Sequence, residues 1–397
     1  MSLTRRQLVG AGVGGVAAVA LGGAIWREAL DAAPAGVRRP VSGYGPRGAP
    51  DAEGLRLPAG FRAQVVARGR EEVAGTGYRW HEASDGMATF PTADGGWILV
   101  SNSEIALGGA SAIRFAREGA IADAYRILDG TMRNCSGGGT PWGTWLSCEE
   151  IESGGVWECD PTGRRPAVRR PALGAFKHEA AAVDPAGRRI YMTEDVEDGG
   201  LYRFTPDRWP DLRAGLLEIA TVGRGGAVRW TAVPDPAGRA ELTRRQVPAS
   251  TEFARAEGIW HDDGTVYIAT TDDHRIHAYD TRRERIEVLY DGLATPDAPL
   301  LRVDALTGTR AGEIFVCEDI ATEEIDIGVL DRRGSVSRFA SVTGPQHHRS
   351  ELTGVTFDPS GRRMYFASQR AGGGEEEIGP GAIYEVSGPF RGALGAG

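Results

Sequence analysis

A six-bladed β-propeller, an all-β fold, is what this sequence predicts, on three observations. A glycine-containing turn followed by an alternating strand recurs six times. The steps between the turn glycines are 48, 44, 77, 48 and 49 residues, all but the third close to the length of one propeller blade. Gly (57) and Pro (22) are spread through the 397 residues at turn-like places, which argues against a helix bundle. An all-β solenoid or a pair of sandwiches is the alternative.

The six runs begin at Gly95, Gly143, Gly187, Gly264, Gly312 and Gly361. Each continues as a short, largely apolar β-run, for example Val266-Tyr267-Ile268 and Met364-Tyr365-Phe366. A second strand follows each: Ile113–Phe115, Val156–Cys159, Leu201–Phe204, Ile276–Tyr279, Ile327–Leu330 and Ile383–Val386. The long step holds a polar, Arg/Pro-rich stretch near 205–250, read as an insertion. No blade can bury its sheet alone, so a single propeller domain over residues 55–390 is expected, with 36–54 as an extended lead-in.

The N-terminus carries Arg5-Arg6 ahead of an Ala/Gly/Val run. Residues 1–35 therefore read as a twin-arginine (Tat) signal segment, which exports folded proteins, many already loaded with metal. An uncleaved N-terminal anchor is the other reading. The expected location is periplasmic, secreted or on the cell surface, with the Tat machinery as a partner and a monomer as the working form. Net charge is −9, and all but one of the basic residues are Arg, the exception being Lys177; nucleic-acid binding is disfavoured. The four cysteines (135, 148, 159, 317) form no CxxC or zinc spacing.

In a propeller, equivalent positions of the blades gather at one end of the central channel. Before the turns lie Asp85, Glu179, Glu257, Asp304 and Glu351; after them lie Asn102 and Glu104, Glu149 and Glu150, Glu194 and Asp195, Asp272 and Asp273, and Glu318 and Asp319. So many carboxylates around one axis must gain protons or bind cations. Oxygen donors with one thiolate suit hard ions plus a transition metal. Cys148 is the expected thiolate, because it closes its strand beside two glutamates. Cys135 and Cys159 read as core residues, Cys317 as facing away from the channel, and Asp195 as a solvated turn residue. Arg255 and Lys177 each stand two residues before a candidate ligand, Glu257 and Glu179. They are read either as phosphate-gripping, catalytic groups or as salt-bridge and surface residues.

The segment Asn134-Cys135-Ser136-Gly137-Gly138-Gly139-Thr140-Pro141-Trp142-Gly143-Thr144-Trp145-Leu146-Ser147-Cys148-Glu149-Glu150 resembles the characteristic stretch of PhoX-type alkaline phosphatases. So do Phe176-Lys177-His178-Glu179, Arg255-Ala256-Glu257-Gly258, Cys317-Glu318-Asp319 and Glu351-Leu352-Thr353-Gly354. The family's Asn-His-Glu is Asn102-Ser103-Glu104 here, its Glu-Asp-Gly is Glu318-Asp319-Ile320, and this chain is shorter. The resemblance implies an exported hydrolase of phosphate monoesters that uses two iron ions, calcium and a metal-bound oxide or hydroxide. It further implies Cys148 as iron ligand, Glu179 and Glu257 as carboxylate ligands, Arg255 at the phosphate, and Glu318, Asn102, Glu104 and Glu149 as additional metal ligands. A calcium-dependent propeller lactonase or esterase, or a non-catalytic metal-binding propeller, is the competing reading.

Overall fold

The computed structural model describes residues 43–373 and 378–393. Alternating apolar residues and regularly placed turns build six antiparallel sheets around one axis. The chain first lays down β1 (Leu55–Arg56) and β2 (Arg62–Arg68). Blade one is β3 (Ser84–Pro91), β4 (Trp97–Ser103), β5 (Gly109–Phe115) and β6 (Ile121–Leu128). Blade two is β7 (Asn134–Gly139), β8 (Trp145–Glu149), β9 (Val156–Cys159) and β10 (Val168–Arg169). Blade three is β11 (His178–Asp184), β12 (Arg189–Glu194), β13 (Leu201–Arg208), β14 (Asp211–Val222) and β15 (Val228–Ala232). Blade four is β16 (Ala256–Asp262), β17 (Thr265–Thr270), β18 (Arg275–Asp280) and β19 (Arg285–Asp291). Blade five is β20 (Val303–Gly308), β21 (Glu313–Glu318), β22 (Glu324–Asp331) and β23 (Val336–Thr343), with β1 on its outer edge. Blade six is β24 (Leu352–Phe357), β25 (Arg363–Ser368) and β26 (Ala382–Ser387).

The ring closes because β2 pairs antiparallel with β26, from Arg62↔Ser387 to Arg68↔Ala382. An N-terminal strand thus completes the last blade, which removes an open seam. Second strands are buried on both faces; every residue of β4 is buried. Their side chains fill the layers between neighbouring blades, as where Trp97, Phe115 and Tyr365 join blades one and six. Five of the six turn glycines (95, 143, 264, 312, 361) adopt positive φ, as such tight turns require. In the remaining turn Arg188, beside Gly187, takes the left-handed conformation at φ 54°.

The stretch near 205–250 is partly strand. It contributes the long β13–β14 hairpin, a fifth strand, and a loop whose Arg244 reaches back to Glu194 (2.8 Å) and Asp198 (2.9 Å). Residues 1–35, and 36–42 of the lead-in, lie outside the described residues. Among the described residues no helix is long and apolar enough to cross a membrane.

Each inner strand carries a register shift at the same height: after Ser84, Asn134, His178, Ala256, Val303 and Thr353. A bulge bends a strand and re-aims its side chains. Above the shifts lies the charged mouth. On the other side of the shifts, small residues let the inner strands converge: a Cβ on Gly138 would sit 1.9 Å from the Ala181 carbonyl oxygen.

Candidate functional site: a carboxylate mouth under a cationic collar

Three concentric sets of side chains surround the mouth, each taking one residue per blade. The outer set is Ala83, Arg133, Lys177, Arg255, Arg302 and Glu351. Their carbonyls accept hydrogen bonds from the backbone N–H groups of Glu104, Glu150, Asp195, Thr271, Asp319 and Gln369, at 2.9–3.2 Å. Those six donors form the second set. The third set lies two residues beyond the outer one: Asp85, Cys135, Glu179, Glu257, Asp304 and Thr353. Ala83, Arg133, Arg255 and Arg302 hold φ between 42° and 52°. Left-handed backbone in non-glycine residues costs about 1 kcal/mol or more each, and such strain concentrates at functional sites.

The second set extends one residue past the end of its strand, and this decides which acid of each pair faces the channel. Glu149 accepts from the backbone N–H groups of Met132 (3.1 Å) and Gly155 (3.2 Å) and from Trp157 Nε1 (3.0 Å). Glu194 accepts from Gly200 N–H (3.0 Å) and the Tyr202 hydroxyl (2.8 Å). Glu318 accepts from the N–H groups of Leu301 (2.6 Å) and Asp326 (2.9 Å). These three carboxylates hold the loops of their own blades. Their successors, Glu150, Asp195 and Asp319, face the mouth.

Among the expected ligands, Glu104, Glu179 and Glu257 stand in the mouth, and Arg255 and Lys177 stand on its rim. Glu149 and Glu318 do not face it, for the reason just given. Asn102 is also corrected. Its amide donates to the carbonyls of Ser136 (2.7 Å) and Cys135 (3.3 Å), and its oxygen accepts from Trp145 Nε1 and Ser147 Oγ, both at 2.9 Å. It pins blade two to blade one, and both lone pairs of its oxygen are taken, so none is left for a metal. Cys148 is likewise corrected: it is fully buried in the apolar layer with Leu146, Val156, Met192 and Tyr202. The thiol in the mouth is Cys135, whose Sγ donates to Glu179 Oε1 at 3.4 Å.

Sequence reasoning thus missed Cys135, chose Glu149 over its neighbour Glu150, and took Asp195 for a turn residue. A signal was present. A basic residue stands two before a candidate ligand in Arg133-x-Cys135, Lys177-x-Glu179, Arg255-x-Glu257 and Arg302-x-Asp304.

Three groups of candidate ligand atoms each fall within 4.8 Å of one another: Asp85, Glu104 and Cys135; Cys135, Glu150 and Glu179; Glu179, Glu257 and Asp304. Cys135 joins the first two groups and Glu179 the last two, so the groups form one continuous arc. Burial, and then neighbouring carboxylates, push Glu179, Glu257 and Glu351 well above the usual carboxylate range. Burial, with the charge of Glu104, raises Asp85 to about 7. Burial and a hydrogen bond with Asp195 raise Glu150 to about 9. Burial alone would raise Asp195; its hydrogen bond with Glu150 and the charges of Arg255 and Lys177 outweigh it and hold Asp195 at about 2. Burial, followed by Asp85 and Glu179, keeps Cys135 a thiol well above its ordinary range.

The cations of the collar are engaged with these acids. Lys177 reaches Glu150 (2.6 Å) and Asp195 (3.1 Å). Arg255 bonds Asp195 (2.8 Å), Asp319 (3.2 Å) and Glu257. Arg302 bonds Asp319 (3.0 Å), and Arg133 and Arg370 bond Glu104 (2.7 and 3.4 Å). Nine carboxyls (85, 104, 150, 179, 195, 257, 304, 319, 351) thus face five cations (133, 177, 255, 302, 370), an excess of four acids. Glu179 Oε2 and Gln369 Oε1 are buried and accept no hydrogen bond. Orphaned buried oxygens amid surplus carboxyls are the condition a bound cation satisfies, so these residues fit metal ions. At the far end of the channel, a cavity of about 1390 Å³ is lined by charges that pair with one another, such as Arg114 with Asp94 and Arg282 with Asp263.

Residues 107–288 match the family model described as alkaline phosphatase PhoX. Over that segment the chain is PhoX-like. With that likeness comes the enzyme class, a phosphatase. The matched segment contains Cys135, Glu150, Glu179, Asp195, Arg255 and Glu257. Pseudomonas fluorescens PhoX, solved in complex with vanadate, a transition state analogue, superposes with a TM-score of 0.72 at 17% identity, covering 89% of this chain and 99% of that one. A gluconolactonase from Xanthomonas campestris superposes with a TM-score of 0.52 at 14% identity, covering 89% and 99%. These likenesses establish the shared propeller. No curated protein matches the chain.

Proposed function

We propose that this PhoX-like chain is an exported, metal-dependent hydrolase of phosphate monoesters working at the mouth of the propeller. The observation that carries the reading is the shared-ligand arc under a basic collar: Cys135 and Glu179 each belong to two candidate ligand groups, and Lys177 and Arg255 overhang them. The thiol and its carboxylate neighbours suit iron, and the all-carboxylate group of Glu179, Glu257 and Asp304 suits calcium. When bound, such ions neutralise phosphoryl oxygens and acidify water.

The remaining chemistry belongs to the chain. Arg255 is a five-donor fork held in one orientation by Asp195, Glu257 and Asp319, and its side chain is 26% exposed. Four of its five N–H groups are taken by these acids, so it offers a phosphoryl oxygen one N–H as it stands and a bidentate grip once one of the acids turns to a bound cation. Lys177 adds a point charge from the adjoining blade. The hydroxyls of the mouth, Thr353 and Thr271, donate to the carbonyls of Ser84 (3.1 Å) and Val303 (2.8 Å). Neither is paired with a base, which favours water over a phosphoenzyme nucleophile.

The Arg5-Arg6 leader supports export of the folded, loaded protein. The lactonase reading has no use for a thiol in the ligand arc. Elemental analysis of protein purified folded, with hydrolysis of a chromogenic phosphate monoester, tests the proposal. Iron with turnover is the expected result; calcium alone with lactone hydrolysis would replace it.

A further inference from the structure

The collar is uneven. Blades two to five supply Arg133, Lys177, Arg255 and Arg302, while blade one supplies Ala83 and blade six Glu351. A phosphoryl group drawn to the four cations leaves its ester substituent pointing toward the side without them. Arg370 lies on that side, but it is drawn onto Glu104.

The loops around this gap carry exposed apolar side chains. Leu107 is 82% exposed, Met132 47% and Ile378 59%. Backbone hydrogen bonds tie these three loops to Ala83 and to one another. Ala83 N–H donates to the Pro380 carbonyl (2.9 Å), and Glu104 N–H donates to the Ala83 carbonyl (3.0 Å). Gly108 N–H donates to Thr131 (2.9 Å), and Arg133 N–H donates to Ile105 (2.8 Å). Large apolar residues gathered beside a charged site mark a surface for apolar ligand groups.

We propose that the alcohol half of the ester lies over Ala83 against Leu107, Met132 and Ile378, so that the enzyme prefers monoesters of apolar alcohols to those of polyols. This rests on the phosphatase reading and names its substrate class.

The test measures kcat/KM of the metal-loaded enzyme for ethyl, hexyl and glycerol phosphates, whose leaving groups are all aliphatic alcohols, by release of inorganic phosphate. Hexyl phosphate is expected to exceed glycerol phosphate roughly tenfold, the order expected for partly burying several methylenes. The Leu107→Ser/Met132→Ser double variant should bring that ratio close to one. Leu216→Ser, at an exposed apolar residue of the β13–β14 hairpin, should leave it unchanged. Equal hexyl and glycerol values in the parent, or a ratio the double variant does not alter, would overturn the inference while the phosphatase reading stands. Failure to hydrolyse any of the three esters would overturn both.

Discussion

Cys135 and Glu179 come from the inner strands of adjacent blades, and the Cys135 thiol donates to Glu179 Oε1 at 3.4 Å. Both belong to the candidate ligand groups on either side of them, so each is a joint in the arc. Cys148, on the strand next to Cys135, is packed in apolar contacts. Cys148→Ala should therefore keep its metal and turnover and lose about 1 kcal/mol of stability from the small cavity. Metal analysis and denaturant unfolding check this; loss of iron would return Cys148 to the site.

Arg255→Lys retains the charge and discards the fork. Phosphatase kcat/KM should fall about 100-fold, because a point charge cannot reproduce the fork's directed contacts to three carboxylates and a phosphoryl group together. Steady-state kinetics on the metal-loaded variant decide it. A value near the parent's would make Arg255 a salt-bridge residue.

Asn102→Ala and Glu149→Gln should act on stability. The first strips partners from Trp145 Nε1, Ser147 Oγ and two carbonyls, and should cost about 2–4 kcal/mol. The second weakens three bonds to a carboxylate, at about 1–3 kcal/mol. Glu150→Gln, one residue further on, should instead lower metal affinity about 10–100-fold. Denaturant unfolding paired with metal titration separates the two classes.

The metal-free protein should lose stability as pH rises from about 6.5 to 9. Asp85 is raised from 3.8 to about 7 and Glu150 from 4.5 to about 9. A group whose folded pKa lies above its unfolded value contributes stability below the unfolded value, and that contribution fades as pH climbs through the folded one. The buried histidines 81, 178 and 277 are lowered to about 3 by burial and are neutral throughout this window. Melting temperatures of chelator-treated protein should slope downward, and metal loading should remove the slope. A flat metal-free profile would contradict the crowding of carboxyls.

The propeller was legible because turn chemistry and alternation repeat with each blade. The gathering of acids at one end was legible from the same register. The identity of the inward acid was not. Glu149 and Glu150 are equally acidic in the sequence, and a strand extended by one residue sends the second into the mouth. Cys135 read as core because the bulge that aims it falls within Asn134–Gly137, and sequence alternation does not count bulges. Asn102 passed for a ligand because its four partners come from another blade.

The most direct measurement is the iron content and phosphate-monoester turnover of the folded protein, made side by side on the parent and on Cys135→Ala. The account predicts iron and turnover together in the parent and the loss of both in the variant. Full iron and full turnover in Cys135→Ala, or a parent that hydrolyses no phosphate monoester when loaded with iron and calcium, would contradict it.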